Sequence, residues 1–84
     1  MKGLQFEIEE KNFSGRETTL CPNKFITVLD EFKHHYTGET MRYIRVEWSG
    51  FVTGASVVEY QTVDEIRFGM LWNKCIKVWR EGTK

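Results

Sequence analysis

The first regular pattern in the chain is an alternation of apolar and polar positions near its start. Leu4, Phe6 and Ile8 alternate with Gln5, Glu7 and Glu9, the period-two spacing of a strand with one buried face. The stretch from Lys11 to Asn23 is polar and contains Gly15 and the single proline, Pro22, so it reads as loop. Apolar, β-branched and aromatic residues return in Phe25-Ile-Thr-Val-Leu29, which predicts a second strand. Thr37-Gly38-Glu39 supplies a turn. Arg42 to Trp48 then alternates again, with Ile44, Val46 and Trp48 on one face and Tyr43, Arg45 and Glu47 on the other. Ser49-Gly50 and Thr53-Gly54 punctuate the chain before a further strand over Ser56 to Tyr60. Successive strands with short connections predict antiparallel pairing.

The period changes after Tyr60. Thr62-Val-Asp-Glu65 has the spacing of a capping box, and a helix is expected from about Val63 to Lys74. At 100° per residue, Val63, Ile66 and Met70 fall on one side, while Phe68, Leu71, Trp72 and Cys75 fall nearly opposite. A helix lying on a lone sheet needs one apolar face, and this one has two. Either the Leu4–Ile8 segment folds over the second face or a partner covers it, because an exposed apolar patch of that size is a liability. Gly69 costs about 1 kcal/mol in a helix interior relative to alanine, and close approach of another backbone would account for it. Self-association is the favoured expectation. Cys75 to Glu81 reads as a strand-like tail in which Trp79 lies between Lys77 and Glu81 on its own side. A tryptophan flanked by charges is not part of a core stripe, so an interface role is expected for it.

Composition narrows the field. The chain has 84 residues, room for one small domain. Hydrophobic residues at 40% and aromatics at 14% can build a core, which argues against disorder. Lys plus Arg number 12 and Asp plus Glu number 12. That balance speaks against phosphate gripping as the main task, so direct nucleic-acid binding is not expected. An apolar run of membrane length and a secretory h-region are both missing, so no membrane role is expected. Cys21 and Cys75 form no C-x-x-C pair. A disulfide framework and a zinc ribbon are therefore not expected, and a reducing compartment fits.

Catalytic constellations are equally sparse. His34 and His35 are neighbours, and on a strand neighbours point to opposite faces, so they cannot chelate one metal from one side. Asp30-Glu31 and Asp64-Glu65 are adjacent pairs, poorly spaced for two-carboxylate chemistry. The second pair suits the first turn of a helix. Neither cysteine has a local histidine or basic cluster to mark a nucleophile, and a small apolar role is expected for both. Tyr43, Arg45 and Lys33 suggest an aromatic–basic face, but Glu31 and Glu47 share it, which reads as a cross-strand charge ladder. A non-enzymatic protein without metal or cofactor is expected.

One stretch carries a family resemblance. Tyr43-Ile-Arg-Val-Glu-Trp-Ser-Gly-Phe51 resembles the second-strand signature of the chromodomain superfamily, Y-L-V-K-W-K-G-Y/F, and Ile26-Thr-Val-Leu-Asp30 resembles its first strand, of E-K-I-L-D type. A short strand and one helix follow at matching spacing. The resemblance spans about residues 24–81, leaving residues 1–23 as an N-terminal extension with a possible extra strand at 4–9. It implies an α+β fold, a curved three-stranded antiparallel sheet with a C-terminal helix packed across it.

Within the superfamily the chain is most similar to the chromoshadow domain of heterochromatin-protein-one-like proteins, since Lys77-Val-Trp-Arg-Glu81 resembles the L-T-W/F-R/H segment that ends its helix. That resemblance implies a nuclear, chromatin-associated interaction module of the gene-silencing kind. It would form a homodimer, or a heterodimer with a related domain, through Ile66, Met70 and Asn73. A P-x-V-x-L-type partner peptide would bind at Trp79, Lys77 and Arg80. The alternative is a chromodomain reader of methyl-lysine on a histone tail. Its aromatic cage would use Phe25 (beside Asn23, at the first cage position), Trp48 and Phe51, held together by cation–π attraction. Here Val57-Val-Glu-Tyr60 stands where that family has T-W-E-P.

Overall fold

The computed structural model describes residues 1–9, 23–49 and 56–82. Strands β1 (Gln5–Ile8), β2 (Lys24–Lys33), β3 (Thr40–Ser49) and β4 (Ser56–Val63) precede helix α1 (Glu65–Trp72), and strand β5 (Cys75–Arg80) follows it. They form one sheet in the order β4-β3-β2-β1-β5, antiparallel throughout. The chain winds through β2, β3 and β4, crosses over as α1, and returns at the far side of β1. First and last strands are therefore neighbours.

Alternation along the strands decides which face is buried. Phe6 and Ile8, Ile26 and Val28, and Ile44 and Val46 point to one side of the sheet and are buried there, with Leu4 beside them. Phe68 of α1 and Val63 at the end of β4 complete the cluster. Phe6 sits at its centre. Its ring meets Phe68 edge-on at 5.9 Å and Trp72 edge-on at 5.1 Å, the geometry that aromatic quadrupoles favour. Removing side chains of this size from water stabilises the fold by about 1.5–3 kcal/mol each.

Five strands form, not the three expected for the sheet proper. The strand anticipated at 4–9 lies inside the sheet, between β2 and β5. Its backbone registers Gln5 to Ile8 against Thr27 to Lys24, and Gly3 and Leu4 extend that pairing to Val28. A three-stranded sheet would leave the polar backbone of β2 without partners along one edge, and β1 removes that exposure. The segment expected as a tail after the helix docks as β5 on β1 for the same reason.

The helix also starts later than the sequence predicts. Val63 is the last residue of β4, opposite Arg42 and 1% exposed. Its place in the sheet's core removes it from the helical face assigned to it with Ile66 and Met70. The capping box does not form, because Thr62 is held in the sheet opposite Tyr43. Asp64 caps instead: its backbone is extended (φ −82°, ψ 178°) and its side chain accepts from the Arg67 amide at 2.8 Å. At the other end the Asn73 amide donates to the Gly69 carbonyl at 2.9 Å.

In β2 the register shifts between Val28 and Asp30, so Leu29 has no partner of its own in β3. A bulge of this kind reverses which side later residues face. Asp30 then lies opposite Tyr43, and Glu31 lies opposite Arg42 on the inner side. Glu31 thus leaves the outer charge ladder that the alternation predicts. The β2–β3 hairpin closes through Gly38, whose φ of +70° suits glycine. His34 is tied into that turn, its Nδ1 accepting from the amides of Tyr36 and Thr37 at 3.2 and 3.3 Å.

Candidate functional site

The outward side of α1 exposes two large apolar residues among polar ones. With Phe68 turned into the core, and Leu71 and Trp72 packed toward it, the helical period aims Ile66, Met70 and Asn73 away from the sheet. Ile66 is 78% exposed and Met70 61% exposed. Asn73 is exposed one turn further on, as the C-cap. The structure therefore brings these expected interface residues into one stripe, and β1 does not cover it. Gly69 borders the stripe, and a Cβ built there meets nothing within 4 Å. Among the described residues, no close approach requires this glycine.

A second exposed aromatic surface lies on the outer sheet face. The Trp79 Nε1 donates to Glu7 Oε1 at 3.0 Å, and Asn23 Nδ2 donates to the other oxygen of Glu7 at 2.6 Å. Phe25 flanks the indole at 6.2 Å between ring centroids, and the Lys77 ammonium lies 3.6 Å from its centre. Such a cation–π contact, with the hydrogen bond to Glu7, holds the ring in one orientation. Trp79 is still 51% exposed. Lys77 and Trp79 thus form one platform, with Arg80 exposed at the end of the same strand.

Among the described residues, the two aromatics expected for a methyl-lysine cage, Phe25 and Trp48, do not come together. Phe25 faces the outer side beside Trp79. Trp48 packs against the core cluster on the inner side, with the Lys24 ammonium 4.8 Å from its ring. Phe25 pairs with Glu47, and the residue after Glu47 must point the other way. The two aromatics are separated by the sheet itself. Phe51 lies outside the described residues, as does Cys21. Cys75 is partly buried against the core.

Sequence reasoning missed one prominent side chain. Arg42 is 6% exposed. Its Nε donates to Glu31 at 3.0 Å, its Nη1 donates to Glu65 at 3.1 Å, and its guanidinium covers the Phe68 ring at 4.4 Å. The available signal was parity, because Arg42 shares the inward phase of Ile44 and Val46. Its partners were hidden by the bulge in β2. Beside it a cavity of about 210 Å³ opens between the N-terminal turn and α1, walled by Leu4, Phe68, Gly69 and Trp72.

Among the described residues, no group of three or more His, Cys, Asp or Glu side chains is placed to hold a metal ion, and no helix is long and apolar enough to cross a membrane. Comparison of the chain with protein-family models, curated proteins and solved structures returned no match.

Proposed function

We propose that this chain is a non-enzymatic protein-interaction module that pairs through the outward face of α1 and takes a partner peptide beside Trp79. The observation that carries this reading is the division of α1 into two apolar faces, one buried in the core and the other presenting Ile66 and Met70 to solvent. A short helix that already has a core face has no folding need for a second one.

The chromoshadow resemblance supplies the partner class, a P-x-V-x-L-type peptide, and with it a nuclear, chromatin-associated setting and a second copy or related domain on the helix. In this reading the peptide lies on the outer sheet face, its apolar side chains against Trp79 and its backbone near Lys77 and Arg80. Glu7, Phe25 and Lys77 already contact Trp79 in the free chain, which lowers the ordering cost of capture. Titration of a P-x-V-x-L peptide into the wild type and into Trp79→Ala tests this. Saturable binding by the wild type, weakened at least tenfold in Trp79→Ala with the fold retained, is the expected result. Equal binding by both proteins, or none by either, would remove the peptide site from the account.

A further inference from the structure

The two edges of the sheet are built differently. Strand β5 has six residues, two cations (Lys77 and Arg80), and a register against β1 that shifts twice, between Gln5 and Phe6 and between Glu7 and Ile8. Irregular register and inward or outward cations are devices that keep an edge from templating another strand. Strand β4 has no cation and no register shift, and its one guard is Glu59, opposite buried Val46 on the inner side. It runs eight residues against β3 without a register shift, contains no proline and only one charge, Glu59, and exposes Val57, Val58 and Tyr60. A long, regular edge with a single charge and exposed Val57, Val58 and Tyr60 is where another strand adds.

We infer that β4 is a self-association edge, and that its occupant is β4 of a second copy of this chain, antiparallel about a two-fold axis normal to the sheet. Such an axis keeps each face on its own side, so the central residue must oppose itself and the remaining pairs must share parity. Centring the axis on Glu59 would set two carboxylates directly opposite each other, which is unfavourable. Centring it on Tyr60 sets Glu59 against Gln61 of the second copy and Val58 against Thr62. Within one chain Gln61 Nε2 already donates to Glu59 at 3.0 Å, so the amide has the chemistry to serve that carboxylate from the neighbouring copy too. On the outer face Tyr60 stacks on Tyr43, with ring centroids 6.0 Å apart and planes 17° apart. The Tyr60-centred register continues this stack across the axis. The pair also closes on itself, because the edges left at its two ends are both the guarded β5.

This surface is independent of the helix stripe and does not rest on it. The test places single cysteines on β4 in a chain carrying Cys21→Ser and Cys75→Ala, and follows disulfide-linked dimer under mild oxidation. Directly opposed residues of an antiparallel pair have Cα atoms about 4.5–5.5 Å apart, inside the range that a disulfide spans. Tyr60→Cys is expected to cross-link at least tenfold faster than Val58→Cys or Glu59→Cys, and to keep doing so when Met70→Glu is added. Tyr60 is an exposed residue, so the variant retains its fold. Fastest cross-linking by Glu59→Cys, equal rates at all three positions, no cross-linking at Tyr60→Cys, or its loss in the Met70→Glu background would each overturn the inference.

Discussion

Arg42 Nη1 donates to Glu65 Oε2 at 3.1 Å, so a single buried side chain ties the third strand to the first turn of the helix. The same guanidinium holds Glu31 through Nε at 3.0 Å, which makes the cation shared between two carboxylates on two elements. Glu65 is 63% exposed, and solvent screens its half of the arrangement. Glu65→Gln alone should cost less than about 1 kcal/mol. Combining it with Glu31→Gln leaves the buried guanidinium without a counter-charge and should cost about 3 kcal/mol. Urea unfolding of both single variants and the double variant checks this non-additivity. Additive small losses would mean that water already serves Arg42.

The cap is a direct choice between two readings of one stretch. Thr62→Ala should leave stability within about 0.5 kcal/mol, since Thr62 is an exposed strand position. Asp64→Ala removes the acceptor for the Arg67 amide and should cost about 1 kcal/mol. Thermal unfolding of the two variants separates them. A larger loss in Thr62→Ala would restore the capping box.

Gly69 offers a stabilising change. Its Cβ position is open, and alanine is favoured over glycine in a helix interior by roughly 0.5–1 kcal/mol. Gly69→Ala should raise the midpoint of denaturant unfolding without changing its slope. A lower midpoint would show that the backbone at Gly69 needs its freedom or that its surroundings are closed.

Phe6 should be the most costly core position. It is fully buried and touches both Phe68 and Trp72, so Phe6→Ala should lose about 3–5 kcal/mol. A loss below about 1 kcal/mol in equilibrium unfolding would contradict the placement of β1 inside the sheet.

These positions also mark where the sequence was informative. Period-two alternation placed Phe6, Ile8, Ile44 and Val46 on the buried side, because a strand with one wet face must alternate. The same rule left β1 and β5 as appendages, since alternation identifies a strand but not its neighbours, and edge pairing is decided by backbone groups common to every residue. The bulge at Leu29 was invisible for a related reason: Leu29 is an ordinary strand residue, and only its missing partner in β3 reveals the shift. Arg42 was therefore legible as a charge in an inward phase, without its carboxylates. The helix stripe was legible through Ile66 and Met70, whereas Val63 was misplaced because strand and helix meet at Asp64 with no glycine or proline to mark the change. Trp79 was separable from the core by its charged neighbours, but its hydrogen bond to Glu7 joins residues at opposite ends of the chain, which no local pattern can anticipate.

The central claim is that the outward face of α1 is an interface, and sedimentation is its most direct test. With the β4 edge blocked by Tyr60→Lys, the protein should sediment at twice the 10.0 kDa of one chain at high micromolar concentration. Adding Met70→Glu places a charge in that seam and should return a folded species at 10.0 kDa. If Tyr60→Lys alone already sediments as a single chain, or if Met70→Glu leaves the larger species intact, the helix face is not the interface and the account is contradicted.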